Sequence, residues 1–147
     1  MYKHLLVPVD GTQLADRAVG DSVALARRLG ARITALVVEP LAPTLASGYG
    51  ASSYVRSLEE HDARTEEHAR GVLEQFRRRA ADEGVAFDGL YTRSPNVDAA
   101  IVDTAGERHC DLIVMATHGR SAFGELLFGS HTRNVLTRSA LPLLVLH

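Results

Sequence analysis

Short unbroken apolar runs alternate along this chain with longer stretches in which apolar residues recur every three or four positions. The runs "HLLVPV" (4–9), "ITALVV" (33–38), "LIVMA" (112–116) and "PLLVL" (142–146) are rich in Val, Leu and Ile. Continuity without polar alternation predicts strands buried on both faces. "FDGLYT" (87–92) is a weaker fifth strand nearer an edge, interrupted by Gly89. Between the runs lie helical periods. Thr12 suits an N-cap, Ala15, Ala18, Val19, Ser22, Ala26 and Leu29 then share one face, and Gly30 suits a C′ position. A long polar helix over Leu58 to Glu83 turns Ala69, Val72, Leu73, Phe76 and Ala80 inward and stops at Gly84. Ser94 and Pro95 read as N-cap and N1 of a third helix with Val97, Ile101 and Ala105 inward. The fourth starts near Ser130 and buries Val135 and Leu136. Strand and helix alternate, which predicts an α/β fold: one open, doubly wound, mostly parallel five-stranded sheet. The Pro-, Gly- and Ser-rich segment 39–55 breaks the rhythm and reads as a long loop, either functional or a floppy insertion.

Size and charge narrow the function. A chain of 147 residues suits one domain over 1–147. The 46% hydrophobic and 23% charged content is that of a soluble globular protein and argues against wholesale disorder. A net charge of −2 with mixed signs lacks the basic excess of a nucleic-acid surface. The basic run "RRR" at 77–79 reads as a solvated helix face. Cys110 is the sole cysteine, so no intrachain disulfide forms and a reducing compartment fits. No run approaches the roughly 20 apolar residues of a membrane span, and "MYKHLLVPVD" lacks a signal-peptide pattern. A cytoplasmic location without a membrane partner is expected.

Candidate chemistry gathers at two strand ends. In open parallel sheets ligands bind beyond the carboxyl ends of the strands, where strand order reverses. "PVDGT" (8–12) leaves the first strand and "ATHGR" (116–120) the fourth, so neighbouring strands would bring both loops to one crevice. Gly119 and Gly129-Ser130 would let backbone N–H groups approach an anion at a helix mouth, with hydroxyls from Ser130 and Thr132. Arg120 and Arg133 are available to phosphate or simply to solvent. Asp10 would repel a polyphosphate unless it faced ribose hydroxyls or a divalent metal. An acid at one strand end with glycines and hydroxyls at the other suits a nucleotide.

"HLLVPVDGT", "CDLIVMATHGR" and "FGSHTRNVLTRSALPLLVL" resemble the universal stress protein family, and the order of elements does so over the whole chain. The family's nucleotide signature is Gly, two residues, Gly, nine residues, then Gly and Ser or Thr. Gly119 and Gly129-Ser130 match its later part, while Ala116 stands at its first glycine. Alanine still admits fairly close backbone approach unless φ must be positive there. The resemblance implies strand order 3-2-1-4-5, helices on both faces, a homodimer and an ATP site, with Mg²⁺ at Asp10 an option. By position, Pro8, Val9 and Asp10 would meet the nucleoside, Asp10 through ribose, and Val38 the adenine. Met115, Ala116, His118 and Gly119 would line base and phosphates, with Arg120 beside them. Gly129, Ser130, His131 and Thr132 would close on the phosphate tail.

Catalytic machinery is not evident. Hydrolysis needs a positioned water, an acid or base and charge stabilisation at the γ-phosphate. Neither His118 nor His131 is fixed there by spacing, and no Walker lysine or GxSxG elbow occurs. Slow ATP turnover is compatible with the residues; a dedicated enzyme is not indicated. His61 and His68 in "EEHDARTEEHAR" (59–70) read as solvated rather than metal-binding, and Cys110 as a small packed residue. The expectation is a regulatory stress-response protein that binds ATP and dimerises through strand 142–146, whose edge nothing else covers. A non-nucleotide interaction module of the same fold, with Ala116 marking a lost site, is the alternative. A flavin-type or other small-molecule binder would be a third class but lacks a motif of its own.

Overall fold

A computed structural model of the chain describes residues 1–10, 13–39, 41, 50–116 and 130–146. Nine elements alternate: β1 (His4–Pro8), α1 (Gln13–Leu29), β2 (Arg32–Glu39), α2 (Ala51–Asp82), β3 (Phe87–Arg93), α3 (Val97–Glu107), β4 (Leu112–Ala116), α4 (Ser130–Arg138) and β5 (Leu143–Leu146). The strands form one sheet in the order β3-β2-β1-β4-β5, and every neighbouring pair is parallel.

Period-two geometry explains why the apolar runs are continuous. Leu5 and Val7 of β1 point to one face and Leu6 to the other, and both faces are covered. On one side, Val19, Val23 and Ala26 of α1 and Ala69, Phe76 and Ala80 of α2 pack against Leu5, Val7, Ile33, Ala35, Val37 and Val114. On the other, Ile101 and Ala105 of α3 and Val135 of α4 pack against Leu6, Leu36, Ile113 and Met115. The helix pairs therefore sit on opposite faces, as double winding requires. Phe76 is fully buried, with its ring centroid 5.1 Å from that of Phe87. Gly89 lets α2 come close to β3: a Cβ there would stand 3.4 Å from Leu73 Cδ2.

Helix ends follow backbone chemistry. Gly30 (φ +59°) and Gly84 (φ +67°) turn the chain out of α1 and α2 in the left-handed region that glycine tolerates. The cap of α3 differs from expectation. Asn96, not Ser94, is the N-cap, and its side chain accepts from the Ala99 N–H at 3.0 Å. Ser94 Oγ instead accepts from the Asn96 N–H at 3.1 Å, and the helix starts two residues later than Ser94 and Pro95 predicted. The long helix also begins earlier, at Ala51, after an N-cap Gly50 that offers no side-chain bond. Segment 39–55 is thus partly β2 and α2, while residues 40 and 42–49 of that predicted loop lie outside the described residues. So do Thr12 and the side chain of Ala15.

The inward stripes of α1, α2 and α3 match their predicted faces. In α4 only half does: Val135 is fully buried, but Leu136 is 62% exposed, because one residue is a 100° turn and the face on the sheet is narrow. Among the described residues no helix is long and apolar enough to cross a membrane.

Candidate functional site

Strand β1 pairs with β4, Leu5 opposite Leu112 and Leu6 opposite Ile113, so Pro8 and Ala116 end at the same edge of the sheet. Chains leave from these two neighbouring ends onto opposite helix layers, which is the topological switch point. The Val9 N–H donates to Leu36 O at 2.9 Å, so β1 continues against β2 for one bond beyond its end, and Val9 is buried. Asp10 follows, exposed, and its carbonyl accepts from His68 Nε2 of α2 at 3.1 Å. Val38 lies opposite Thr92, one residue short of the end of β2. Met115 is buried in the α3–α4 layer and Ala116 is half-buried opposite Leu146. His118, Gly119, Arg120 and Gly129 lie outside the described residues.

Helix α4 opens with Ser130 and His131, both exposed, and Thr132, which is buried. The first turn of any helix leaves backbone N–H groups without intrahelical partners and carries partial positive charge. What orients this one is Asp98 in the first turn of α3, only 7% exposed. Its Oδ1 lies 2.5 Å from His131 Nδ1, and its Oδ2 accepts from Asn134 Nδ2 at 2.6 Å. One buried carboxylate therefore grips two residues a turn apart on α4. Pattern reading missed Asp98: an acid in a helix's first turn is ordinary, and nothing local marks a partner 33 residues away.

A second polar cluster ties α2 to the same edge. Arg93, the last residue of β3, pairs with Asp62 Oδ2 at 3.1 Å, donates to Asp62 O at 2.8 Å and lies 5.6 Å from the Tyr91 ring centroid. His61 Nε2 is buried there without a hydrogen-bond partner among the described residues. The expectation of solvated histidines is corrected for His61, whose Nε2 is turned inward, while His68 stays exposed as expected and adds a bond to the chain leaving β1. Arg79 departs from the solvated "RRR" face too: its guanidinium donates to Asp16 O of α1 at 2.8 Å, while Arg77 and Arg78 share Glu74.

No group of three or more His, Cys, Asp or Glu among the described residues is arranged to hold a metal ion. Magnesium in nucleotide sites is commonly bound by one or two carboxylates plus substrate phosphates rather than by a cage of protein side chains. Cys110 is buried, and burial pushes its thiol up to about 11, so it is a packed apolar residue as expected.

The parallel order 3-2-1-4-5 with helices on both faces and a switch between β1 and β4 defines a doubly wound α/β protein. More narrowly, the chain belongs to the universal stress protein family, whose model matches residues 1–147. It is 28% identical over 147 residues to the universal stress protein YxiE of Bacillus subtilis, covering 99% of each chain. It is similar in structure to the universal stress protein UspA of Lactobacillus plantarum, with a TM-score of 0.80, 25% identity and 99% and 98% of the two chains covered. A more distant likeness, 22% identical with a TM-score of 0.68 over 99% and 97% of the chains, is to a universal stress protein in complex with cAMP. Another, 20% identical with a TM-score of 0.64 over 99% and 98%, is to one from Archaeoglobus fulgidus in complex with dAMP.

Proposed function

We propose that this protein binds an adenine nucleotide, ATP, at the switch point between β1 and β4, and acts as a regulatory stress-response protein in the cytoplasm, as a single domain over 1–147. The observation that carries this is the parallel pairing of β1 with β4, which brings Asp10 and the end of β4 to one edge. That is where open parallel sheets hold their ligands. The complexes of two other family members with cAMP and dAMP support adenine as the base.

In this arrangement Pro8, Val9 and the Val38 backbone meet the nucleoside, and Asp10 takes the ribose hydroxyls or, together with the phosphates, Mg²⁺. Met115 and Ala116 flank the base. The phosphates run to Ser130, His131 and Thr132 at the mouth of α4, with His118, Gly119, Arg120 and Gly129 completing the cradle. The working unit is a homodimer paired through 142–146. Ala116 at the first signature glycine favours a second proposal, an interaction module that has lost its nucleotide.

Asp10→Ala separates the roles given to this carboxylate. ATP affinity should fall in the variant both with and without EDTA if ribose is the partner, and only with Mg²⁺ present if metal is. Unchanged affinity in both conditions would remove Asp10 from the site.

A further inference from the structure

We propose that His68 and Arg79 of α2 are positioning residues for the nucleotide: by gripping the end of β1 and the first turn of α1, they fix where Asp10 stands. This rests on the nucleotide site proposed above, with Asp10 facing ribose or metal, and adds the residues that hold it there.

The sheet alone does not hold Asp10. The last bond that β2 gives the chain leaving β1 runs from the Val9 N–H to Leu36 O at 2.9 Å, and Asp10 beyond it is exposed. Helix α2 takes over from there. His68 Nε2 donates to Asp10 O at 3.1 Å, and the Arg79 guanidinium donates to Asp16 O, in the first turn of α1, at 2.8 Å. The step from His68 to Arg79 is about three helical turns, roughly 16 Å, so both side chains leave nearly the same face of α2. A carbonyl can only accept, so His68 Nε2 carries a proton. The Nε2–H tautomer and the imidazolium both supply one, and the grip does not depend on the charge of the ring.

Arg79 is committed to this contact. Arg77 and Arg78 beside it share Glu74, whereas Arg79 makes no ion pair among the described residues and its bond goes to α1. The support is firm, because Ala69 and Phe76 bury the same stretch of α2 against the sheet. The space beside the grip is not filled: Val9 and Asp16 on one side and Val72, Phe76 and Arg79 on the other line a cavity of about 330 Å³. Polar bonds, more than close packing, therefore set the spacing of α2 from these two chain ends. Holding the backbone of Asp10 before a ligand arrives removes an ordering cost from binding.

The test is calorimetric titration with ATP and Mg²⁺ of wild type, His68→Phe, His68→Gln and Arg79→Ala, each also in the Asp10→Ala background. His68→Phe keeps a flat ring without the donor, and His68→Gln keeps a donor at similar reach. In the ligand-free protein, the NMR shift of the Asp10 carbonyl carbon reports the bond itself. His68→Phe and Arg79→Ala should each weaken ATP binding about three- to tenfold, the range of one hydrogen bond, and His68→Gln should recover most of the loss. In the Asp10→Ala background neither change should lower affinity further, since both act through Asp10. The Asp10 carbonyl shift should move in His68→Phe and return toward the wild-type value in His68→Gln. Wild-type affinity in either His68→Phe or Arg79→Ala would overturn the bracket, and so would a loss that persists undiminished without the Asp10 carboxylate. An unmoved carbonyl shift in His68→Phe would overturn the His68 grip with no ligand involved. A wild type that does not bind ATP would sink the nucleotide site itself, and the positioning role with it.

Discussion

Histidine 4 stands at the opposite end of the sheet from the candidate site and is 6% exposed. Its Nδ1 accepts from Arg32 at 3.2 Å and its Nε2 donates to Thr34 Oγ1 at 2.7 Å, an arrangement that only a neutral ring can make. Burial, and then the charge of Arg32, hold its pKa below the ordinary 6.5 against the opposing pull of Asp111. In the unfolded chain the imidazole is released to protonate normally. The unfolded state thus binds more protons below about 6.5, so stability is full above that value and falls as pH drops through it toward the lowered folded pKa. The urea midpoint should be lower near pH 5.5 than near pH 7.5, and His4→Gln should flatten the difference. The Asp111 carboxyl is also held down, its burial outweighed by the N–H groups of His4 and Lys3, but its window starts near 3.8 and does not overlap. A wild-type midpoint that is flat over this range would contradict the neutral assignment. Cys110, packed in one cluster with Ile101 and Ile113 and with its thiol pushed up to about 11, should resist thiol reagents at pH 8 until the protein unfolds. Labelling that outruns global unfolding would show a local opening instead.

At the scale of elements, α2 is held by a few large groups. Phe76 is the largest fully buried side chain among the described residues and meets Phe87 of β3 in a tilted contact, at an interplanar angle of 50°. Phe76→Ala should cost about 3–5 kcal/mol, read from chemical denaturation, because the helix cannot collapse into the space while Val72 and Leu73 hold it off the sheet. A loss below about 1 kcal/mol would mean that this layer repacks freely. The legibility of elements follows from what each must bury. β1, β2 and β4 read clearly because a strand covered on both faces has no room for polar residues, and the helical stripes of α1 to α3 read clearly because one face meets the sheet. The start of α2 was illegible: Gly50 to Ser53 have loop composition, and only the rest of the long helix carries them into it. Leu136 misled for the opposite reason, an apolar residue placed on the solvent side of α4. Asp98 and His68 were silent since their partners lie 33 and 58 residues away, and a local pattern records no such distance.

For the molecule as a whole, β5 is one of the two outermost strands of the sheet, opposite β3, and all four of its residues are half-buried rather than buried. An apolar edge with one side of its ladder open invites pairing with a second copy, and twofold pairing closes at a dimer. Exposed Leu136 on α4, the preceding element, adds apolar surface that a partner could cover. Wild type should sediment as a dimer at micromolar concentration, and Val145→Pro, which removes a mid-strand donor, should give monomer or destabilised protein. A wild-type monomer throughout would refute the pairing.

The shared edge of β1 and β4 is the centre of the functional proposal, and ATP itself is its direct probe. Thermal unfolding of the wild type should be followed with and without millimolar ATP and Mg²⁺, beside Gly129→Val, whose branched side chain would stand where the signature asks for glycine. At about 100 times its Kd, a ligand that binds only the folded state adds about 2.7 kcal/mol, a shift of several degrees in a domain of this size. Wild type should show that shift, and Gly129→Val should fold yet lose it. No shift in the wild type would contradict nucleotide binding and favour an interaction module on the same fold.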